Sequence, residues 1–279
     1  MTGSVTLGRL GTGLNNQRLC LLGLFEIARA RDARVTLPET LENFSPALPR
    51  RRGEREIPLW DLFDRDRFLA AVADRPVVED RDAEVIDMHE AFRAGAAASR
   101  GAASDNFAGR FLLGTAAAPA IAAVAGQVLD WLAARGCRGA LQLRVERDWR
   151  AYYRKRGLPE DDRTLEVDWI VARARALLPE AEAIWVCCDE ADLPAPVPEV
   201  RARGARHGLD LLFKPQLPPE IGLPVESPRR AMTDFTICRQ IPDYLGVTRS
   251  SFSQLVATMN RLEGSPRRTR FIDADAAAS

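Results

Sequence analysis

The chain is poor in the residues that build metal centres and in net charge. It contains only two histidines, His89 and His207, among 279 residues, which excludes a histidine-rich metal site and leaves a Ser-His-Asp triad little choice of base. Its 39 basic and 39 acidic side chains balance, so no overall field attracts nucleic acid or an anionic membrane surface. Any anion-binding site must therefore be local.

Long apolar runs and paired cysteine spacings are also lacking. The longest apolar stretch falls well short of a membrane span, and the opening segment MTGSVTLGRLGTG has no basic region followed by an apolar run. The five cysteines are odd in number and lack metal-ligand spacing, so we expect buried thiols in a cytoplasmic protein. We therefore predict no membrane span, no nucleic-acid partner and no bound metal.

What the chain does have is an alternation of strand and helix patterns. The alternation predicts parallel sheets, because two parallel strands need a crossover about as long as a helix. We expect an α/β fold with two Rossmann-like domains, residues 1–118 and 119–279, whose mainly parallel sheets face a cleft. The Ala- and Gly-rich stretch 94–118 is expected to be a connection between the domains or a loop.

The individual elements follow from hydrophobic periodicity and from Pro and Gly punctuation. A Pro- and Arg-rich stretch over residues 38–58 is expected to be irregular. The patterns predict strands over 5–7, 33–37, 83–86, 139–145, 183–188, 209–213, 244–247 and 270–273, and helices over 14–31, 65–73, 119–134, 165–178, 197–207, 230–240 and 251–262.

The first segment that suggests chemistry is GRLGTGLNNQR, a glycine-broken turn that opens a helix. It contains Gly8, Gly11 and Gly13, followed by Asn16, Gln17 and Arg18. The glycines let the backbone turn tightly and bring amide groups close to an anion, and the helix points its positive end the same way. The alternative is a turn that only connects a strand to a helix, but three polar side chains exceed what an N-cap requires.

The second segment is LQLRVERDW, a strand that runs into a charged turn. Alternation along the strand sends Leu141 and Leu143 to one face and Gln142, Arg144 and Glu146 to the other. Arg144 stands near the carboxyl end of the strand, where open α/β sheets bind their ligands, and its guanidinium can fork onto phosphate oxygens. The alternative is a structural ion pair of Arg144 with Glu146 or Asp148.

The third segment, LGVTRSSFSQLV, places hydroxyls at a helix start. Ser250 and Ser251 either cap the helix or cradle an anion, and Thr248 just upstream supports the second interpretation. Asp189, directly after a predicted strand, and Asp234, within a predicted helix, are candidates to accept hydrogen bonds from a base or a ribose. For both aspartates, capping or solvation is the alternative.

These segments, in this order, resemble the protein O-fucosyltransferase superfamily, which includes plant fucosyltransferase-like proteins and, more distantly, bacterial nodulation-factor fucosyltransferases. An amino-terminal glycine loop ending in Asn-Gln is similar to residues 13–17. A central His-Leu-Arg strand followed by Asp-Trp is similar to residues 142–149. A strand followed by Asp is similar to residues 184–190, and a closing Ser-Ser-Phe element is similar to residues 250–252.

The resemblance implies a GT-B fold, with GDP-fucose held between two Rossmann-like domains, and inverting transfer of fucose to a hydroxyl. The acceptor would be a protein, a glycan, a peptide or a small molecule, and no metal or other cofactor would be required. Arg144 would bind the diphosphate and stabilise the charge that develops as GDP leaves. Asn16 would reach the donor or the acceptor side, and Glu146 is a candidate general base.

The resemblance also implies a set of donor-binding residues. Ser250, Ser251 and Phe252 would hold the phosphates, and Asp234 or Asp189 would contact guanine or ribose. The remaining donor-binding candidates are Gly11, Gly13, Leu14, Asn15, Gln17, Gln142, Asp148 and Thr248.

Two departures keep alternatives open. Gln142 stands where the family has histidine, and the chain is short and lacks the cysteine framework of a secreted enzyme. These features leave room for a non-catalytic nucleotide- or glycan-binding protein, and no residue excludes another deoxy-sugar nucleotide such as a rhamnose donor. A dinucleotide-dependent oxidoreductase is less well matched, because the turn lacks the GxGxxG order and only Glu39 or Glu42 supplies the required acid.

Overall fold

The computed structural model describes residues 3–8, 13–42, 56–159 and 162–274. The predicted site residue Gly11 and most of the Pro- and Arg-rich stretch lie outside the described residues. The chain divides into two compact units. The first contains Met1–Val124, Leu223–Thr236 and Thr258–Ser265, and the second contains Ala125–Gly222, Ile237–Ala257 and Pro266–Ser279.

The first unit is built around a small parallel sheet. In chain order its elements are β1 (Ser4–Leu7), α1 (Leu14–Ala30), β2 (Arg34–Val35), β3 (Thr40–Glu42), β4 (Glu56–Pro58), α2 (Leu59–Leu62), α3 (Arg65–Ala71), β5 (Glu84–Ile86), α4 (Met88–Arg100), α5 (Phe107–Gly114) and the start of α6 (Pro119–Ala133). Among the described residues the parallel strands pair in the order β2-β1-β5, and β3 pairs antiparallel with β4.

Helix α1 runs through the core of the first unit. It begins after Gly13 and ends before Asp32, whose φ of 50° is left-handed and stops the helix. Its Phe25 ring packs 5.6 Å from Phe111 and 5.7 Å from Phe107. This aromatic cluster fixes α1 against α5.

A glycine contact brings α1 and α4 unusually close together. A Cβ atom built on Gly95 would lie 1.8 Å from the carbonyl oxygen of Leu19, and one built on Gly23 would lie 1.8 Å from the carbonyl oxygen of Ala91. The two helices therefore pack backbone against backbone, which only glycine permits at these two positions.

The second unit is a parallel sheet with helices on both faces. Its elements are the rest of α6, β6 (Gly139–Gln142), α7 (Arg147–Lys155), α8 (Val167–Leu177), β7 (Ala183–Cys187), α9 (Val197–Arg206), β8 (Asp210–Leu212), the end of α10 (Ser227–Gln240), β9 (Asp243–Gly246), the start of α11 (Ser251–Leu262) and β10 (Arg268–Phe271). The described strands pair in the order β10-β9-β6-β7-β8, all parallel. The predicted α/β class with mainly parallel sheets is confirmed.

The two faces of this sheet carry different side chains. Leu141, Leu143 and Val145 belong to the apolar cluster that also contains buried residues of α8 and α9. Gln142 instead hydrogen-bonds Ser253 of α11, so α11 covers the opposite face. The predicted alternation is confirmed for Leu141, Gln142 and Leu143.

Three stretches differ from the sequence-based expectations. Residues 94–118, expected to be a connection or a loop, lie largely within α4 and α5. Strand β6 ends at Gln142 rather than at Val145, and α7 was not predicted. The expected irregular stretch begins and ends with the paired strands β3 and β4.

Two further expectations concern the cysteines, predicted to be buried thiols, and the lack of a membrane-spanning helix. All five cysteines are free thiols; four are buried, and Cys188 is partly exposed. Burial raises the pKa of Cys20 to about 12 and that of Cys137 to about 11, which makes both thiols unreactive at neutral pH. In the described part of the chain, every helix is too short or too polar to cross a bilayer.

Candidate functional site

The candidate site of the second unit lies at the carboxyl ends of β6, β9 and β7. Strands β6 and β9 are neighbours, with Leu141 paired to Leu245, and β7 pairs with β6 on the other side. The segments that follow these strands therefore leave the sheet at the same edge. This edge is where open α/β sheets bind ligands.

Arg144 is held at this edge by two carboxylates and a ring. One terminal nitrogen lies 3.4 Å from Glu146 Oε2, and the other donates to Asp148 Oδ2 at 3.1 Å. The guanidinium also lies 4.7 Å from the centre of the Trp149 ring. Burial acts to lower the pKa of Arg144, but the charges of Glu146 and Asp148 outweigh burial and raise it. The side chain keeps 21% of its surface exposed, so a ligand can reach it.

Glu146 is a buried acid beside this arginine. Only 2% of the residue is exposed, and its Oε1 accepts a hydrogen bond from the backbone N–H of Asp189 at 3.3 Å. Burial raises the pKa of Glu146, while the positive charge of Arg144 works against that rise. Glu146 therefore links the segment after β6 to the segment after β7.

Gln142 belongs to a buried polar network between the sheet and α11. Its Oε1 accepts from the Ser253 hydroxyl at 2.5 Å, and that hydroxyl accepts from the backbone N–H of Val247 at 3.1 Å. The Tyr244 hydroxyl lies 2.8 Å from Ser253 Oγ. The network fixes the start of α11 against the end of β6, and it engages the acceptor oxygen of Gln142.

The hydroxyls that begin α11 differ from Ser253. Within the ranges that the structure describes, the side chains of Ser250 and Ser251 make no hydrogen bond. Ser250 precedes α11, and Ser251 is its first residue. Two hydroxyls without protein partners at a helix start suit an anion, because the helix N-terminus carries partial positive charge.

The neighbouring predicted residues have clear structural contacts. The Thr248 N–H and hydroxyl both donate to the carboxylate of Asp273, at 2.9 Å and 2.6 Å, and Phe252 packs near Tyr244 with 6.3 Å between ring centres. Asp148 is more than half exposed. Asp189 caps a short 3-10 turn through the Ala191 N–H at 3.2 Å.

The first unit holds the other predicted residues. Gly13 precedes α1, whose N-terminus has no side-chain cap and no acid in its first turn. Asn15 and Gln17 are buried: Asn15 Oδ1 accepts from Arg18 at 2.5 Å, and Gln17 Nε2 donates to the Glu42 carbonyl at 3.3 Å. Their described contacts are thus within the protein.

The remaining three predicted residues of this unit differ in exposure. Leu14 is buried at the start of α1, and Asn16 beside it is partly exposed. Asp234 is buried on α10. The structure therefore leaves Asn16 as the polar side chain of the first helical turn that a ligand reaches most readily.

Arg18 is a residue whose position the sequence did not reveal. It is fully buried, donates to the Thr115 carbonyl at 3.3 Å, and lies 4.3 Å from the centre of the Phe235 ring. Together with its bond to Asn15, these contacts fix the first turn of α1. The sequence signal for its burial was the presence of a charged side chain among apolar residues of α1.

Ser253, Tyr244 and Asp273 were also missed as supports of the site. Ser253 directly follows the predicted element 250–252, but nothing in the sequence separates its buried hydroxyl from those of Ser250 and Ser251. Asp273 is 25 residues from Thr248, so sequence proximity gives no indication of that contact. Among the described residues, no group of three or more His, Cys, Asp or Glu is placed to hold a metal ion.

Comparison with known proteins first defines the class of fold. No family model matches the chain, and no curated protein matches it. Solved structures do match, and they belong to a glycosyltransferase with the GT-B fold. The fold of this chain is therefore of the GT-B type, as the sequence resemblance implied.

The matching structures are of the protein O-fucosyltransferase POFUT1. The apo form is similar with a TM-score of 0.63 and 12% identity, covering 98% of both chains. The complex with GDP-fucose gives a TM-score of 0.62 and 12% identity over 98% of both chains. A complex with GDP gives 0.63 and 13% over the same shares. The resemblance to protein O-fucosyltransferases is confirmed at the level of the fold.

Proposed function

We propose that this protein is an inverting glycosyltransferase that transfers fucose from GDP-fucose to a hydroxyl of a protein, glycan or small acceptor. The observation that carries the proposal is the placement of Arg144 and of the Ser250 and Ser251 hydroxyls on segments that follow adjacent parallel strands. POFUT1, which has the same fold, is known in complexes with GDP-fucose and with GDP. Both observations support a nucleotide-sugar site in the second unit.

In the proposed reaction, the acceptor hydroxyl oxygen attacks the anomeric carbon of fucose and displaces GDP, which leaves with the electron pair of the broken bond. The hydroxyl proton passes to the departing phosphate oxygen of GDP. Negative charge then develops on the diphosphate. The Arg144 guanidinium neutralises part of that charge, and the hydroxyls and amides at the start of α11 donate to the remaining phosphate oxygens. No covalent intermediate with the protein is required.

We assign Glu146 a positioning role in preference to proton transfer. Its Oε1 is occupied by the Asp189 N–H, and its Oε2 faces Arg144. A carboxylate in this position holds the guanidinium ready for the diphosphate. Asn16 of the first unit stays a proposed contact of the donor or the acceptor.

The proposal is tested by GDP release from GDP-fucose in the absence of an acceptor, with other GDP- and UDP-sugars in parallel. We expect slow release from GDP-fucose, and a fall of about 100-fold or more for Arg144→Ala, the size of loss seen when a donor to developing charge is removed. Arg147→Ala is the matched control, because Arg147 is three residues away and 77% exposed.

Three outcomes bear differently on the proposal. If no nucleotide sugar is bound or turned over, the proposal is wrong. If another deoxy-sugar nucleotide such as a rhamnose donor is used instead, the reaction class stands and the donor changes. If Arg144→Ala matches the wild type, Arg144 has no role in turnover.

Metal independence is part of the proposal. Because Arg144 supplies positive charge at the diphosphate, GDP release is expected to be unchanged by EDTA. A loss of release on chelation, restored by Mg²⁺ or Mn²⁺, would show instead that a cation carries out that task.

The second candidate function is nucleotide or glycan binding without turnover. It is favoured by Gln142, whose acceptor oxygen is bonded to Ser253 where the family has a histidine. Calorimetry that shows GDP binding in a protein without transferase or hydrolase activity would support it.

A further inference from the structure

Apart from Arg144, a cluster of basic side chains lies at the carboxyl edge of the sheet of the second unit, on the side of α8. It surrounds a pocket of about 520 Å³ bounded by the segments after β9 and β10, the first half of α8 and the turn that precedes α8. Arg163, Arg173 and Arg249 line the pocket, together with Trp169. This volume is within the range of small-molecule sites.

Two hydrogen-bond donors in the pocket wall are available. Among the described residues, neither the Arg163 guanidinium nor the Trp169 indole N–H has a hydrogen-bond partner. Within the described ranges, Arg173 donates only to the carbonyl of Ala274, at the long distance of 3.4 Å. The pocket therefore presents unused donors beside a flat ring.

The two acids of the wall are already engaged by their own loops. Asp162 accepts from the N–H and the hydroxyl of Thr164, at 2.9 Å and 2.8 Å. Asp273 likewise accepts from the N–H and the hydroxyl of Thr248. Neither acid lies within hydrogen-bond distance of Arg163 or Arg173 in the described structure, so the basic side chains keep their capacity for an external anion.

Arg249 connects this pocket to the start of α11. It donates to the Tyr153 hydroxyl at 3.3 Å and lies 3.9 Å from Asp162, and Ser250 follows it directly in the chain. A ligand in the pocket would thus contact the loop that carries the proposed phosphate-binding hydroxyls.

We propose that this pocket is a binding site for an acidic sugar, one that carries a phosphate or a carboxylate. The guanidiniums of Arg163 and Arg173 bind the anionic group through charge-assisted hydrogen bonds. The Trp169 ring packs against the apolar face of the sugar, and its N–H donates to a sugar oxygen. The site does not depend on the proposed fucosyl transfer.

The test uses glucose 6-phosphate as the probe, titrated into the whole chain and followed by calorimetry, with glucose and inorganic phosphate in parallel. We expect glucose 6-phosphate to bind at least about tenfold more tightly than either, because only it supplies both the anion and the sugar face. Equal binding of phosphate and glucose 6-phosphate would overturn the role of the sugar, and equal binding of glucose would overturn the role of the anion.

Substitutions of the pocket residues test whether glucose 6-phosphate binds in this pocket. The double variant Arg163→Ala/Arg173→Ala is expected to weaken glucose 6-phosphate binding by at least about tenfold, since it removes charge-assisted bonds. Trp169→Phe is expected to weaken it less. Arg201→Ala is the control, because Arg201 is an exposed arginine that pairs with Asp210 elsewhere in this unit. Unchanged binding in the double variant would overturn the proposal.

The outcome is separable from that of the fucosyltransferase proposal. Arg144→Ala is expected to retain glucose 6-phosphate binding while it loses GDP release. Failure of GDP-fucose turnover with intact glucose 6-phosphate binding would overturn only the enzyme proposal. Loss of glucose 6-phosphate binding in Arg144→Ala would place the probe at the donor site and overturn the separate pocket.

Discussion

Individual polar side chains at the candidate site divide into those that hydrogen-bond the protein and those without a described hydrogen-bond partner. Gln142 and Ser253 bond one another in a buried network, whereas Ser250 and Ser251 lack hydrogen-bond partners among the described residues. Asn15 has a described partner in Arg18. Residue type and spacing identified Gln142, Ser250, Ser251 and Asn15 as candidates, but only the folded contacts separate them.

Arg144 is predictable from sequence because a strand pattern indicates both where the strand ends and which face each side chain takes. The same pattern does not distinguish ligand binding by Arg144 from an ion pair. The structure contains the ion pairs with Glu146 and Asp148, and a partly exposed guanidinium in such pairs is also well placed to meet a diphosphate. The two interpretations are therefore compatible.

Glu146 gives a prediction for stability against pH. Burial raises its pKa above the ordinary value of 4.5, so the folded protein holds a proton over a range in which the unfolded chain has released it. This contribution to stability is present below 4.5 and is lost as the pH rises through the raised pKa. Glu146→Gln, which cannot titrate, should lose less unfolding free energy over that range than the wild type.

Urea unfolding at a series of pH values measures this difference. Glu180→Gln is the matched control, since Glu180 is exposed, and it should follow the wild type throughout. The same pH dependence in Glu146→Gln and in the wild type would show that the Glu146 carboxyl does not retain its proton in the folded state.

At the scale of elements, the alternation of strands and helices was predicted correctly in most of the chain, whereas the helices within residues 94–118 were not predicted. Residues 94–118 are rich in Ala, Gly and Ser, a composition that is also found in flexible connections, yet alanine has the highest helix propensity. Caps supplied a second signal: Asp87 accepts from the N–H of His89 and Glu90 at the start of α4, and Asn106 accepts from the N–H of Gly109 at the start of α5. Propensity and caps together would have predicted both helices.

The contact between α1 and α4 predicts that Gly95→Ala destabilises the protein by about 1–3 kcal/mol, the usual cost of overpacking. The added Cβ would lie 1.8 Å from the Leu19 carbonyl oxygen, and the helices would have to separate. In Gly126→Ala, where nothing lies within 4 Å of the added carbon, higher helix propensity should stabilise by up to about 1 kcal/mol. Chemical denaturation of both variants measures the contrast, and a stabilised Gly95→Ala would contradict the close packing.

The position of α11 depends on Gly246 at the end of β9. A Cβ there would lie 2.4 Å from Ser253 Oγ and 2.6 Å from Ser253 Cβ, so α11 and its leading hydroxyls would move. We expect Gly246→Ala to bind GDP about tenfold more weakly, the equivalent of one weakened charge-assisted bond. Gly222→Ala, with open space around the added carbon, should bind GDP as the wild type does.

Calorimetry with GDP at a temperature where both variants are folded measures this effect. Equal affinities for Gly246→Ala and Gly222→Ala would show that GDP binding does not depend on the start of α11. That result would remove Ser250 and Ser251 from the proposed site.

At the scale of the whole molecule, fold similarity persists where identity has almost vanished. The chain matches POFUT1 structures over 98% of its length at 12% identity, so the shared fold does not depend on shared residues at most positions. Short ordered motifs could indicate this similarity from sequence, because they lie at the strand ends where backbone geometry is constrained. Residues 223–236 and 258–265 belong to the first unit although they follow most of the second unit in the chain. This assignment depends on contacts between residues far apart in sequence, which no local sequence pattern indicates.

The central claim is that Arg144 and the hydroxyls at the start of α11 bind the same diphosphate. The most direct test is a crystal structure of the protein with GDP. The account predicts phosphate oxygens within about 2.7–3.2 Å of the Arg144 guanidinium and of the Ser250 or Ser251 hydroxyl. GDP bound with Arg144 in contact only with Glu146 and Asp148, or bound away from α11, would contradict it.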